Sequence, residues 1–212
     1  ATLDDIFPED TRKGAYIKEC TWFASSWIEN LGNGAFRMHS LPEEAQLSPV
    51  FGMLAGDYNN DGNCDLILTG NSYSSNVYTG QYDASIGLFL SGDGKGGFKP
   101  VLGRESGFFV DGDAKSLAEI SLKDGNSFIL AARNSDTLRV FKPLAKPAGI
   151  IRLGKDDFCA EITLKNGTRE YREFYYGSGY LSQSSRVLKL PPEAASVTVI
   201  TFTGEKRIIT LK

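Results

Sequence analysis

An apolar run followed by a Gly-x-Gly-x-Phe turn occurs twice in this 212-residue chain, 62 residues apart, and it restricts the fold more than any other feature. Trp27-Ile28-Glu29-Asn30 leads into Gly32, Gly34 and Phe36, and Leu88-Phe89-Leu90 leads into Gly94, Gly96 and Phe98. Each reads as a β-hairpin: glycine supplies positive φ in the turn, and the phenylalanine starts the return strand pointing inward. A second block follows each hairpin. Asp65-Leu66-Ile67-Leu68-Thr69-Gly70-Asn71 resembles Ser127-Phe128-Ile129-Leu130-Ala131-Ala132-Arg133-Asn134, and Thr137-Leu138-Arg139-Val140-Phe141 begins a third unit that runs into a linker. A period near 60 built of short strands predicts propeller blades or stacked sheets. Two similar hairpins in an ordinary sandwich give the same pattern. With 23 Gly, 13 Phe and 9 Tyr, the expectation is all-β.

Composition narrows the function classes. No apolar run approaches the ~18 residues of a membrane-spanning helix, so no membrane span is expected. A formal net charge of -3 disfavours nucleic acid as the main partner. A single histidine, His39, leaves no multi-histidine metal site, and three cysteines without a C-x-x-C spacing argue against a disulfide framework or a zinc knuckle.

Charge is divided unevenly. Residues 1–147 carry a net -6 and residues 148–212 a net +3. The change falls at Lys142-Pro143-Leu144-Ala145-Lys146-Pro147-Ala148-Gly149, where two prolines and a glycine suit a linker. A domain boundary is therefore expected near residue 148, with strands over 150–153, 159–164, 169–174, 186–190, 196–202 and 206–211 forming a small β-sandwich-like domain. Lys165-Asn166-Gly167-Thr168 and Thr203-Gly204-Glu205 are the expected turns within it. Toward the N-terminus, Asp4–Asp10 opens a short helix, Tyr16–Phe23 reads as a strand, and Leu41–Gln46 as one helical turn.

Asp57-Tyr58-Asn59-Asn60-Asp61-Gly62-Asn63-Cys64-Asp65 is the one segment with metal chemistry. Oxygen side chains stand at positions 1, 3, 5 and 9, Gly62 at position 6 permits the sharp turn, and Asn63 offers its backbone carbonyl. Calcium takes 6–8 oxygen donors, and Asp57, Asn59, Asp61, Asn63 and Asp65 are the expected ligands. Position 12 is Leu68 and the flanks read as strands, so the segment is not an EF-hand. A polar Asx/Gly turn without metal is the competing reading. Cys64, alternating with Asp65, is expected to face the core. Gly56-Asp57 matches Gly112-Asp113 in context, but Lys115 then stands where a ligand is needed, and no calcium is expected there.

At these residues the sequence resembles the FG-GAP/VCBS repeat, the blade unit of integrin-α-type propellers. The loop shows that family's Asp-rich pattern, and Phe51-Gly52-Met53-Leu54-Ala55-Gly56-Asp57 matches its entry strand. Gly177-Ser178-Gly179-Tyr180-Leu181-Ser182-Gln183-Ser184-Ser185 resembles the signature of the ASPIC/UnbV domain. Together they are similar to cartilage-acidic-protein-like secreted proteins. The resemblance implies two to three blades of a partial β-propeller over 1–147, an ASPIC/UnbV-like β domain over 148–212, calcium on the five named residues, and a secreted, cell-surface or periplasmic location. Such families carry about seven blades, so this chain is expected to be the C-terminal part of a larger protein. The Phe-Gly-Leu-Gly and Trp-Pro stretch of the ASPIC/UnbV family is replaced here by Arg186–Pro192.

The function expected is a non-enzymatic calcium-binding module for extracellular protein or glycan binding and adhesion. Tyr73, Tyr78 and Tyr82 lie in a long polar loop and are candidate ligand contacts, because tyrosine offers rigid area with a hydroxyl. The competing reading is a loop that covers a blade edge. A second hypothesis is the accessory or catalytic part of a calcium-dependent polysaccharide-processing enzyme, with Lys115 or His39 as the forced choice of base. A third is a structural cap that self-associates through open blade edges. Gly177-Ser178-Gly179 lacks nucleophile-elbow spacing and is read as a structural turn with Tyr180 and Leu181 packed inward. Trp22, Phe23 and Trp27 are read as core.

Overall fold

Short apolar runs separated by glycine turns satisfy their backbone groups by pairing with their neighbours. A computed structural model describes residues 2–144 and 146–211, so Ala145 of the expected linker lies outside the described residues. The chain is all-β, 42% strand and 6% helix, in several antiparallel sheets, none of them closed. Two compact units divide it, Ala1–Ser40 and Leu41–Lys212.

In the first unit, α1 (Leu3–Ile6) is one helical turn capped by Thr2, whose backbone N and Oγ1 both donate to Asp5 Oδ2. The segment Tyr16–Phe23 is irregular rather than a strand. Tyr16 and Phe23 are largely exposed, and Trp22 is half exposed with its ring nitrogen donating to Ser26 Oγ. No strand pairs with this segment among the described residues, and a lone extended segment has no ladder to hold it. Strands β1 (Ser26–Gly32) and β2 (Ala35–Ser40) form the expected hairpin. The Trp27 and His39 rings stack across it at 4.2 Å, and His39 Nε2 lies 2.9 Å from Glu29 Oε2.

The second unit begins with a 3-10 turn at Glu43–Gln46, entered from Pro42. A four-stranded meander follows: β3 (Gly52–Gly56), β4 (Asp65–Thr69), β5 (Leu88–Gly92) and β6 (Phe98–Val101). After the short helix α2 (Gly103–Ser106), β7 (Ala114–Ser121), β8 (Ser127–Arg133) and β9 (Arg139–Phe141) make a second meander. Ile67 of β4, Ala114 and Leu117 of β7, and Ile129 and Ala131 of β8 share one core with Phe108 and Val110. Asn71, without solvent exposure, ties the two sheets. Its amide donates to Ser85 O (2.8 Å) and Gly112 O (2.7 Å), and its carbonyl accepts from Ser48 Oγ and Ser85 N.

The remaining strands match the expected segments within about two residues at each end: β10 (Gly149–Arg152), β11 (Asp157–Leu164), β12 (Arg169–Glu173), β13 (Val187–Leu190), β14 (Ala194–Thr201) and β15 (Lys206–Thr210). The ladder β10–β13 packs on the sheet β12-β11-β14-β15 around a separate core of Ala160, Ile162, Leu188, Leu190, Ala194, Val197 and Val199.

The hairpins 62 residues apart share their register. Trp27↔His39, Ile28↔Met38, Glu29↔Arg37 and Asn30↔Phe36 correspond to Phe89↔Val101, Leu90↔Pro100, Ser91↔Lys99 and Gly92↔Phe98. Their surroundings differ: Leu90 is 0% exposed and Ile28 is 62% exposed. Leu90→Ala is therefore expected to lower the unfolding free energy by about 2–5 kcal/mol. Ile28→Ala should cost under about 1 kcal/mol. Urea unfolding followed by circular dichroism checks the pair, and equal losses would show that the two positions are packed alike.

Candidate functional site

The loop between β3 and β4 carries the five expected ligands. Its turn depends on left-handed backbone at Asn60 and Gly62, with φ of 64° and 85°. Asp57 Oδ1 accepts from Asn60 N (2.7 Å) and Oδ2 from Gly62 N (3.0 Å). Asn59 Oδ1 accepts from Asp61 N, and Asn59 Nδ2 donates to Asp61 Oδ2 and to Ser91 Oγ. Asp61 Oδ1 accepts from Asn63 N at 2.8 Å. That backbone bond holds the Asp61 carboxyl below its ordinary value of 3.8.

Asp65 closes the loop and is 0% exposed. Its Oδ2 accepts from Tyr58 N (2.9 Å) and its Oδ1 from Gly92 N (3.0 Å). Gly92 is required there, because a Cβ would sit 2.1 Å from Cys64 O. Burial pushes the Asp65 carboxyl up, Asp61 and Asp57 push it further, and the two amide bonds pull it down. Cys64, expected in the core, is exposed; with Asp65 turned inward onto two amides, its neighbour turns outward. Among the described residues no group of three or more His, Cys, Asp or Glu side chains is placed to hold a metal ion. Each loop carboxylate instead engages amide donors with both oxygens. A carboxylate has about four acceptor sites, so each retains capacity for a cation.

The ladders place the second repeat differently from the Gly112-Asp113 match. Strand β7 begins after Asp113, so the counterpart of the β3–β4 loop is the short β7–β8 turn. There Asp124-Gly125-Asn126 stands 63 residues after Asp61-Gly62-Asn63. Asn126 N donates to Asp124 Oδ1 as Asn63 N does to Asp61 Oδ1. This repeated Asp-Gly-Asn turn is the signal that aligns the two units. Lys115 lies outside it, on β7. Its Nζ pairs with Asp113 Oδ1 (2.7 Å), donates to Asn71 O, and sits 4.3 Å from the Phe51 ring centroid.

The three tyrosines are not brought together. Ser72 and Tyr82 bridge the two arms of their loop through mutual backbone bonds. Tyr78 at the tip is 93% exposed, and Tyr82 is half exposed. Tyr73 donates its backbone N to Asp113 Oδ1 and lines a cleft of about 440 Å³ with Asp83, Asp111, Arg133 and Asp136. Arg133, almost fully buried, reaches Asp111 at 3.0 Å and Asp136 at 2.6 Å. Sequence reasoning passes over these charged residues; the available signal is the Arg133-Asn134-Ser135-Asp136 stretch directly after an apolar strand.

The Gly177–Ser185 signature lies against β7. Leu181, expected to pack inward, is 85% exposed with φ of 46°, and Tyr180 is half exposed with its ring 5.2 Å from that of Phe51. The serines make the polar contacts: Ser182 Oγ donates to Leu117 O, and Glu119 N donates to Ser184 Oγ. Glu119, buried on β7, accepts from Lys189 Nζ (2.5 Å) and Tyr58 OH (3.2 Å). Burial and the facing Glu119 carboxylate push the Tyr58 phenol well above its ordinary 10, so it stays a donor.

No protein-family model matches the chain, and a search of curated proteins finds no match.

Burial raises the Asp113 carboxyl, but bonds from Lys115, Asn134 and the Tyr73 amide outweigh it and hold the group below 3.8. A depressed carboxyl stabilises the fold in full above its unfolded value and ceases to do so as pH falls through the folded one. Asp113→Asn is expected to cost about 1–3 kcal/mol at pH 7. The deficit should shrink below pH 3.8, as read from urea midpoints at pH 7 and pH 3. A deficit independent of pH would assign the loss to shape rather than charge.

Proposed function

We propose that this chain is a non-enzymatic, calcium-binding extracellular module that serves protein or glycan recognition, built from FG-GAP/VCBS-like propeller blades and an ASPIC/UnbV-like C-terminal β domain. One observation carries the calcium reading. Among the described residues four acidic side chains are buried: Asp65, Asp113, Glu119 and Asp157. Lys115 pairs with Asp113, Lys189 with Glu119, and Arg207 with Asp157. Asp65, the most buried, meets backbone amides and the repulsion of Asp57 and Asp61, with no ion pair among the described residues. A buried carboxylate is costly unless a cation or several donors compensate it.

Calcium supplies that positive charge when bound. Asp57, Asn59, Asp61, the Asn63 carbonyl and Asp65 are all hard oxygen donors, the chemistry calcium selects. Because the carboxylates rest on loop amides, binding draws the loop together around the ion. The exposed tyrosine loop and the charged cleft beside Tyr73 provide the recognition surface. The exposed Ile28 and Phe36 of the first hairpin supply apolar area for self-association or for a partner.

Thermal unfolding in EDTA and in millimolar calcium, with Asp61→Ala alongside, tests the reading. At a calcium concentration about 100 times Kd the stabilisation is about 2.7 kcal/mol. For a domain of this size that raises Tm by roughly 5–11 °C in the unaltered chain. Asp61→Ala should show a much smaller rise. No shift in either protein at several millimolar calcium sinks the calcium assignment.

A further inference from the structure

Polar contacts join the C-terminal part to β7, and one of them reaches the Asp57–Asp65 loop. Strand β7 pairs with β8 along one edge. Along the other edge lies the Ser182–Ser185 segment, which acts as a partial strand. Ser182 Oγ donates to Leu117 O (2.9 Å), Glu119 N donates to Ser184 Oγ (3.0 Å), Ser185 N donates to Glu119 O (2.8 Å), and Ser121 N donates to Ser185 Oγ (3.1 Å). Three alternate residues of β7 are thus met, mostly by hydroxyls. Hydroxyl contacts fix the segment without the continuous ladder of a full strand, so they release at lower cost.

The Glu119 side chain makes the second connection. It accepts from Lys189 on β13 and from Tyr58 in the loop, and Lys189 Nζ also lies 5.0 Å from the Tyr58 ring centroid. Tyr58 is not among the expected ligands, yet its backbone N donates to Asp65 Oδ2. One residue therefore holds the buried loop carboxylate with its main chain and the C-terminal contact with its side chain.

We propose that Tyr58, Glu119 and Lys189 form a latch through which cation occupancy of the Asp57–Asp65 loop sets how firmly the Ser182–Leu190 segment docks on β7. The proposal rests on the calcium reading above. A cation on Asp65 fixes the loop backbone at Tyr58, which holds the phenol on Glu119 and keeps Glu119 aligned with Lys189 and the serine clasp. Linkage makes the effect reciprocal: firm docking tightens calcium binding by the same factor.

Hydrogen exchange of the full chain in EDTA and in millimolar calcium tests the latch, with calcium binding measured separately by calorimetry. In the unaltered protein calcium is expected to slow exchange over 182–190 by about tenfold. The Ser185 amide, bonded to Glu119 O, is the direct reporter. Tyr58→Phe should still show calcium protection of loop amides, while the response over 182–190 falls below about twofold. Lys189→Met, which leaves the loop intact, should give the same uncoupling and serves if Tyr58→Phe folds poorly. Calcium binding with no response over 182–190, or an equal response in both variants, overturns the latch and leaves the calcium reading standing. No calcium binding in the unaltered protein overturns the calcium reading and the linkage with it.

Discussion

A buried strand must find partners for the backbone groups on both of its edges, and β7 meets that demand from separate parts of the chain. One edge is paired with β8, its nearest neighbour in sequence. The other is met more than sixty residues later by the serines of the Ser182–Ser185 segment. Its apolar side chains Ala114 and Leu117 belong to the first core. The C-terminal strands build a second core of their own, and the C-terminal part meets the rest at β7, Phe51 and Tyr58. Covering that edge with hydroxyls removes an open template for strand addition without merging the two cores into one sheet.

Charge follows the same economy. Lys115 does three things at once: it neutralises Asp113, donates to Asn71 O and lies over the Phe51 ring. Lys189 likewise serves Glu119 and the Tyr58 ring. Each lysine pairs with a buried carboxylate and lies over an aromatic ring, whose face adds to the attraction on the cation. Asp65 is handled differently, with two amides in place of a lysine. Amides supply partial charge in fixed directions and leave part of the carboxylate's acceptor capacity unused.

The strands after Gly149 are legible in the sequence because β-branched alternation and Gly turns agree there, although the pairings of β10 with β13 and of β11 with β14 join strands that are not neighbours in the chain. The Tyr16–Phe23 segment has the composition of a strand but no strand partner among the described residues, so pattern alone misleads. The match of Gly56-Asp57 to Gly112-Asp113 fails for a related reason: a two-residue identity fixes no register, whereas Asp61-Gly62-Asn63 and Asp124-Gly125-Asn126 carry the same backbone geometry. The expected ligands of the loop are visible as a pattern, since oxygen side chains alternate around one glycine. Glu119 and the role of the serines are not, because their meaning lies in contacts between segments 65 to 70 residues apart.

Ile28 and Leu90 separate two things that a local pattern tends to merge. Both sit in the same place in the same kind of hairpin, opposite Met38 and Pro100. The hairpin's register is a local result of turn geometry and is set by the glycines of each turn. Burial is a result of what lies over the face: β4 pairs with β5 and helps bury Leu90, whereas β1 pairs only with β2 among the described residues. A repeated sequence can therefore repeat its ladder without repeating its environment. The exposed face of β1 and the covered face of β5 are the same local structure in two different surroundings, which is why apolar residues at matched positions can serve a core in one copy and a surface in the other.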